Sequence, residues 1–247
     1  MDYGFAYLDE VMVELQRLKD TQGKAILGAA QIMAETILRG NNLYVFGCSH
    51  AGILAEEAFY RTGGLAVLNP IFFPAMMPNT RPITMTSALE RLSGIGTVLI
   101  DEHGLKRDDM LIIHSVSGRN TVPIEMALVA RERGIFSLAI TNIAYSSASL
   151  SRHPGGERLF EICDMVIDNC GCFGDGAVQI EGHPEAVGPT STVLGAAAIN
   201  AIIVEAVAIL IAKGQVPPVF RSANIDGGDA FNRELLKEYR EHIFYMR

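Results

Sequence analysis

Short β-branched runs alternate with helical stretches along most of this chain, and that alternation limits the fold more than any other feature. The runs are Asn42 to Gly47, Leu65 to Leu68, Met110 to His114, Ile135 to Thr141 and Met165 to Asp168. Strands separated by helices are joined by crossovers, so they lie parallel and both faces of the sheet are covered. Helical spacing falls at 50 to 63, 84 to 93, 121 to 133, 190 to 213 and 229 to 243. A further helical stretch, 5 to 38, precedes the first strand, with a break expected around Thr21 to Gly23. The expectation is a three-layer α/β protein on a five-stranded parallel sheet with helices on both faces and an N-terminal helical arm. It reads as a single domain: the arm over 1 to 40, the core over 41 to 213 and a C-terminal extension over 214 to 247. The segment 69 to 82 holds four prolines and reads as a stiff exposed loop.

Composition narrows the class of partner. Of 247 residues, 49% are hydrophobic and 19% charged, enough apolar sequence for one large core. A net charge of −8 with no basic run argues against nucleic acid as a partner, because affinity for a phosphate backbone rests on clustered Lys and Arg. The N-terminal sequence lacks the basic and apolar regions of a signal peptide, so a cytoplasmic protein with its four cysteines as thiols is expected. Val193 to Ala212 is nearly continuous apolar sequence of membrane-spanning length. Asn200 and Glu205 lie inside it, and a carboxylate at a bilayer centre costs roughly 3 kcal/mol. A helix buried in a core or at a subunit interface fits better than a membrane span, and the expected assembly is a homodimer or homotetramer.

Polar residues gather where two of the strands end, the place at which open α/β sheets bind ligands. The first run enters Gly47, Cys48, Ser49, His50, Ala51, Gly52 and then a helix; the third enters Ser115, Val116, Ser117, Gly118, Arg119, Asn120, Thr121 and another helix. Small residues let a ligand approach the backbone, hydroxyls donate to an oxyanion, and a helix N-terminus favours its charge. A Ser/Thr cluster before a helix is more often just a cap, and either turn alone is a weak signal. Two such turns at strand ends that can face one crevice are a stronger one. Neither turn has the glycine pattern of a dinucleotide or Walker loop, so no cofactor is implied. Cys170 and Cys172, with Cys163 and His183 elsewhere, lack zinc-ligand spacing, and no metal is expected.

These two turns resemble the phosphosugar-binding signatures of SIS (sugar isomerase) domains, over roughly residues 35 to 213. The stretches Asp168 to Asn200 and Pro217 to Asn232 resemble a narrower group of bacterial SIS proteins labelled phosphoheptose isomerases on fold grounds. The resemblance implies a flavodoxin-like sheet and a phosphorylated sugar as ligand, with Ser49, Ser115, Ser117 and Thr121 at the phosphate. SIS domains place a Ser or Thr where this chain has Asn120, so Thr121 either stands in for it or only caps the helix. Gly47, Gly118, Asn120, Thr190 and Ser191 are expected around the sugar, and Arg221 and Asn224 are expected to reach it from the C-terminal extension. An aldose–ketose isomerase also needs an acid–base group. Glu57, His50, His183 and Glu205 are the candidates, while the late-helix histidine of phosphoheptose isomerases has no counterpart. The reading is a sugar-phosphate isomerase or lyase, with a non-catalytic sugar-phosphate sensor as the alternative.

Overall fold

In a computed structural model that describes residues 2–246, the chain begins with one unbroken helix, α1 (Tyr3–Leu38). The break expected near Gly23 is absent. A helix-interior glycine costs about 1 kcal/mol relative to alanine, and packing along a second long helix outweighs it. After α1 come β1 (Leu43–Gly47), a 3-10 turn over Ser49–Gly52, α2 (Ile53–Ala58) and β2 (Leu68–Pro70). Next are α3 (Thr84–Leu89), α4 (Ile95–Glu102), β3 (Met110–His114), α5 (Thr121–Arg133) and β4 (Phe136–Thr141). The remainder comprises α6 (Ile143–Ser147), α7 (Leu159–Ile162), β5 (Met165–Asp168), β6 (Gly176–Val178), β7 (Val187–Pro189), α8 (Ser191–Ala212) and α9 (Gly228–Glu238).

Strands β1 to β5 form one parallel sheet in the order β2-β1-β3-β4-β5. Alternate residues serve opposite faces. Val45, Ile112, Leu138 and Ile167 pack with α1, α2 and α8, while Phe46, Leu111, Ile113 and Ala139 pack with α4, α5 and α7. Burial on both faces explains why these strands are apolar throughout rather than alternating. β2 lies later than the sequence suggested, because Leu65 pairs with Val219 of the C-terminal extension and only Leu68–Pro70 runs beside β1. Pro70 is tolerated because β2 is an edge strand. The helix expected over 84 to 93 ends at Leu89, and a second helix that was not expected, α4, follows it: Gly94 takes φ +94, and the Glu125 carboxylate accepts the amides of Gly94 (2.8 Å) and Gly96 (3.1 Å) at its start. The short antiparallel pair β6/β7 had no expectation behind it.

The apolar segment 193–212 is the body of α8. Among the described residues it is the one helix long and apolar enough to cross a membrane, and it lies against α1 and α2 with Leu194, Ala198, Ile199, Ile202, Ile203, Ala206 and Leu210 buried.

Candidate functional site

β1 and β3 are neighbours, yet the chain leaves β1 for β2 on one side and leaves β3 for β4 on the other. Their carboxyl ends therefore flank a topological switch point, where the two departing turns separate and leave a crevice. A cleft of about 270 Å³ occupies it. Cys48, Ser49, His50 and Ala51 line it from the β1 side, and Ser115, Val116, Ser117 and Asn120 from the β3 side. Glu90, Tyr145, Gly174 and Asp175 complete the wall.

Both turns depend on glycine. A Cβ on Gly47 would sit 2.3 Å from the Ala51 carbonyl oxygen, so any other residue would push the first turn open. Gly118 takes φ +56, and a Cβ there would lie 2.8 Å from Ser146 Oγ. His114, the last residue of β3, joins the two walls: its Nδ1 donates to the Ala51 carbonyl at 3.0 Å. The ring is buried, and burial holds its pKa below the usual histidine value, so it is neutral. It is a structural tie beneath the cleft, with Nε2 unpartnered against Gly195 of α8.

The hydroxyls of Ser49, Ser115 and Ser117 have no protein partner among the described residues, so three donors face the cleft unspent. The two helix N-termini beside them differ. At α5, Asn120 makes no side-chain cap, and the Val122 amide is taken by the Glu90 carbonyl at 3.0 Å. At α8, the Asp175 carboxylate accepts the amides of Thr190 (3.1 Å) and Ser191 (2.8 Å) and the Ser191 hydroxyl (2.7 Å). A carboxylate already occupies the second N-terminus; at the first, the Val122 amide is spent and Pro123 has none, so an external anion would find only the amides before them.

Glu90 is the carboxyl of the cleft whose pKa is displaced. Burial raises it most, opposed by a hydrogen bond from Asn120 and by the charges of Arg91 and Arg152. A carboxyl poised above its ordinary range in a cleft has the character of a proton-transfer group. The Cys48 thiol beside it is pushed up by burial and by Glu90, and donates weakly to Met76 Sδ at 3.9 Å.

The structure brings together Ser49, His50, Ser115, Ser117 and Asn120, with Gly47 and Gly118 shaping the turns. Thr121 is buried, and its hydroxyl donates to the Arg152 carbonyl at 3.3 Å, away from the cleft. Thr190 and Ser191 lie at the cleft end of α8 but give their amides to Asp175. The remaining expected site residues lie elsewhere. Glu57 is on the far side of its helix, bonded to Arg61 and to Asn200 Nδ2 (3.2 Å). Glu205 lines a separate groove of about 420 Å³ between α1 and α8. His183 is exposed in the β6–β7 connection. Arg221 stacks 3.8 Å above the Phe231 ring, and the Asn224 amide donates to Ser222 Oγ at 3.2 Å.

Sequence reasoning missed Glu90, Tyr145 and Asp175. Glu90 ends a short helix in a stretch without a motif, so no local signal marks it. Asp175 lies in Gly174-Asp175-Gly176, a turn pattern from which a capping role was readable. Glu10, Glu14 and Cys172 place three metal-ligating atoms within 4.8 Å of one another, and none of these residues lines the cleft. The Cys172 thiol, pushed up to about 12 by burial and then by Glu14, donates to Glu14 Oε1 at 2.9 Å.

Residues 6–142 match the SIS domain family, more than half of the chain. A UPF0309 protein of Shouchella clausii is 48% identical over 247 residues, covering 100% of both chains. Another UPF0309 protein, from Streptomyces coelicolor, is 38% identical over 242 residues, 98% of this chain and 96% of the relative. Among solved structures, a phosphoheptose isomerase from Francisella tularensis superposes with TM-score 0.53 at 14% identity, covering 83% of this chain and 96% of that one. The phosphoheptose isomerase of Neisseria gonorrhoeae gives 0.51 at 17% identity, over 83% and 95%. At these identities the likeness is one of fold.

Proposed function

Because the chain belongs to the SIS domain family and to its UPF0309 group, we propose that the switch-point cleft binds a phosphorylated sugar and isomerises it between aldose and ketose forms. The observation that carries this reading is the meeting of three unspent hydroxyls, on Ser49, Ser115 and Ser117, in one switch-point cleft at the start of α5. Hydroxyl and amide donors converging on one point suit a phosphate, whose oxygens accept several charge-assisted bonds. With the phosphate there, the open-chain sugar extends along the wall formed by Glu90, His50 and Asn120.

In this reading Glu90, as carboxylate, removes the proton from the carbon beside the carbonyl. The electron pair forms the carbon–carbon double bond of an enediol, and the carbonyl oxygen takes a proton. Glu90 returns its proton to the former carbonyl carbon, while the other enediol hydroxyl gives up its proton and becomes the new carbonyl; one oxygen gains the proton the other loses, so the balance is zero. A carboxyl held above its ordinary range by burial is suited to take up and give back a proton. His50, exposed at the lip of the same cleft, is placed to exchange protons with the two sugar oxygens. The reaction takes place in the cytoplasm, where sugar phosphates are found.

The test has two arms. Thermal shift against hexose, amino-sugar and heptose phosphates reads binding: a ligand at 100 times its Kd should add about 2.7 kcal/mol. A shift that Ser117→Ala removes supports the cradle; no shift from any phosphate sinks it. Proton NMR in deuterated water reads chemistry, since isomerisation through an enediol washes solvent deuterium into the sugar. Binding without exchange would make the protein a sugar-phosphate sensor.

A further inference from the structure

Three arginines gather where the second turn meets the end of α3, and the phosphate cradle uses none of them. Arg119 directly follows Gly118, and the Arg152 amide donates to the Arg119 carbonyl at 2.8 Å. The exposed Arg152 side chain reaches a residue of the cleft wall: its Nη1 donates to Asn120 Oδ1 at 2.7 Å. Arg91 follows Glu90 in sequence, and its charge bears on both Glu90 and Arg152. Among the described residues none of the three arginines forms an ion pair. Arg119 Nε is buried with no hydrogen-bond partner.

Arg152 is held below the ordinary arginine value by burial, then by the charges of Arg119 and Arg91, with Glu90 opposing. Three cations against one carboxylate is a local excess of positive charge in a chain whose net charge is −8. A neutral sugar hydroxyl gives such a cluster no compensation. An anion does, and the planar fork of arginine matches both a carboxylate and a phosphate.

Resting on the sugar-phosphate reading of the cleft, we propose that its ligand carries a second anionic group, a carboxylate or a second phosphate, seated on Arg119 and Arg152 beside Asn120. The substrate class is then an acidic sugar phosphate rather than a simple aldose phosphate. The first phosphate occupies the Ser49, Ser115 and Ser117 hydroxyls, and the second group lies at the rim of the cleft, beyond Asn120.

Calorimetric titration of the full-length protein with matched pairs tests this: glucose 6-phosphate against 6-phosphogluconate, and fructose 6-phosphate against fructose 1,6-bisphosphate. In at least one pair the doubly anionic member should bind at least about tenfold more tightly, the effect of one charge-assisted bond. The pair that discriminates identifies the second group as carboxylate or phosphate. In Arg119→Gln and Arg152→Gln the preference should fall to about threefold or less, with the monophosphate affinity nearly unchanged, whereas Arg152→Lys should keep part of it. Equal affinity within both pairs overturns the second site and leaves the phosphate cradle standing. A preference that survives in both Gln variants also overturns it. Failure of all four compounds to bind removes the cradle and this inference together.

Discussion

The Asp175 carboxylate accepts the Ser191 hydroxyl at 2.7 Å, so the cleft end of α8 carries its own negative charge. The same carboxylate takes the first two amides near that helix end, which satisfies donors that a ligand phosphate would otherwise claim. Asp175→Ala should therefore destabilise the protein by about 1–2 kcal/mol, the usual cost of losing a helix cap. Chemical denaturation of both proteins under identical conditions reads this directly. An unchanged midpoint would mean that water replaces the carboxylate without loss.

The two hydroxyl sets at the second turn should separate in a binding assay. Ser117→Ala removes a donor facing the cleft, and sugar-phosphate affinity should fall about tenfold or more. Thr121→Val removes a hydroxyl already bonded to the Arg152 carbonyl. It should cost roughly 1 kcal/mol of stability while leaving affinity within about twofold. Equal losses of affinity in the two variants would place Thr121 at the ligand after all.

Glu90 links the cleft to pH. Its folded pKa lies above the ordinary carboxylate value because burial disfavours the charged form. Over the window between the unfolded and folded values the folded state binds more protons, so stability falls as pH rises through that window. Glu90→Gln should consequently melt higher than wild type at pH 7, with the difference shrinking below the ordinary carboxylate range. It should also abolish deuterium exchange into the sugar while leaving phosphate binding in place. A variant that melts lower at pH 7 would show that the carboxylate is stabilised by its arginine neighbours rather than strained.

The groove between α1 and α8 is apolar and open, with Leu15, Ile26, Leu27, Ala197 and Ala201 on its walls. Leu27 on α1 and Val204 on α8 are exposed, at 53% and 69%. Exposed apolar surface along two packed helices is expected to be covered by a second copy of the chain. Light scattering at micromolar concentration should report a dimer or larger, and Leu27→Glu together with Val204→Glu should shift it to monomer. A wild-type monomer would leave the groove without an occupant.

The sheet was readable because its strands are buried on both faces and stand out as apolar runs, as Met110 to His114 does. The hydroxyls of Ser49, Ser115 and Ser117 were readable for a related reason: a strand end, a permissive glycine and a helix start follow one another in sequence. Glu90 was not, since it reaches the cleft from the end of α3 and only the tertiary arrangement gives it its burial. Glu57 shows the opposite failure. Its place one turn into α2 is close to the cleft in sequence, but the helix carries it to the Asn200 side. Arg221 likewise carries a charge suited to phosphate, yet its guanidinium covers Phe231.

The pairing of α1 with α8 joins the first helix of the chain to one of the last. α1 can coil as soon as it leaves the ribosome, but the surface that buries Ala29, Ala30 and Met33 does not exist until α8 has been made. At ordinary elongation rates that delay is on the order of ten seconds. Throughout it the apolar stripe of α1 is open to chaperones, to other nascent chains and to the wrong helix. The same long-range contact should make folding slow for a chain so rich in helix, because the loop between the partners must close before the core can form.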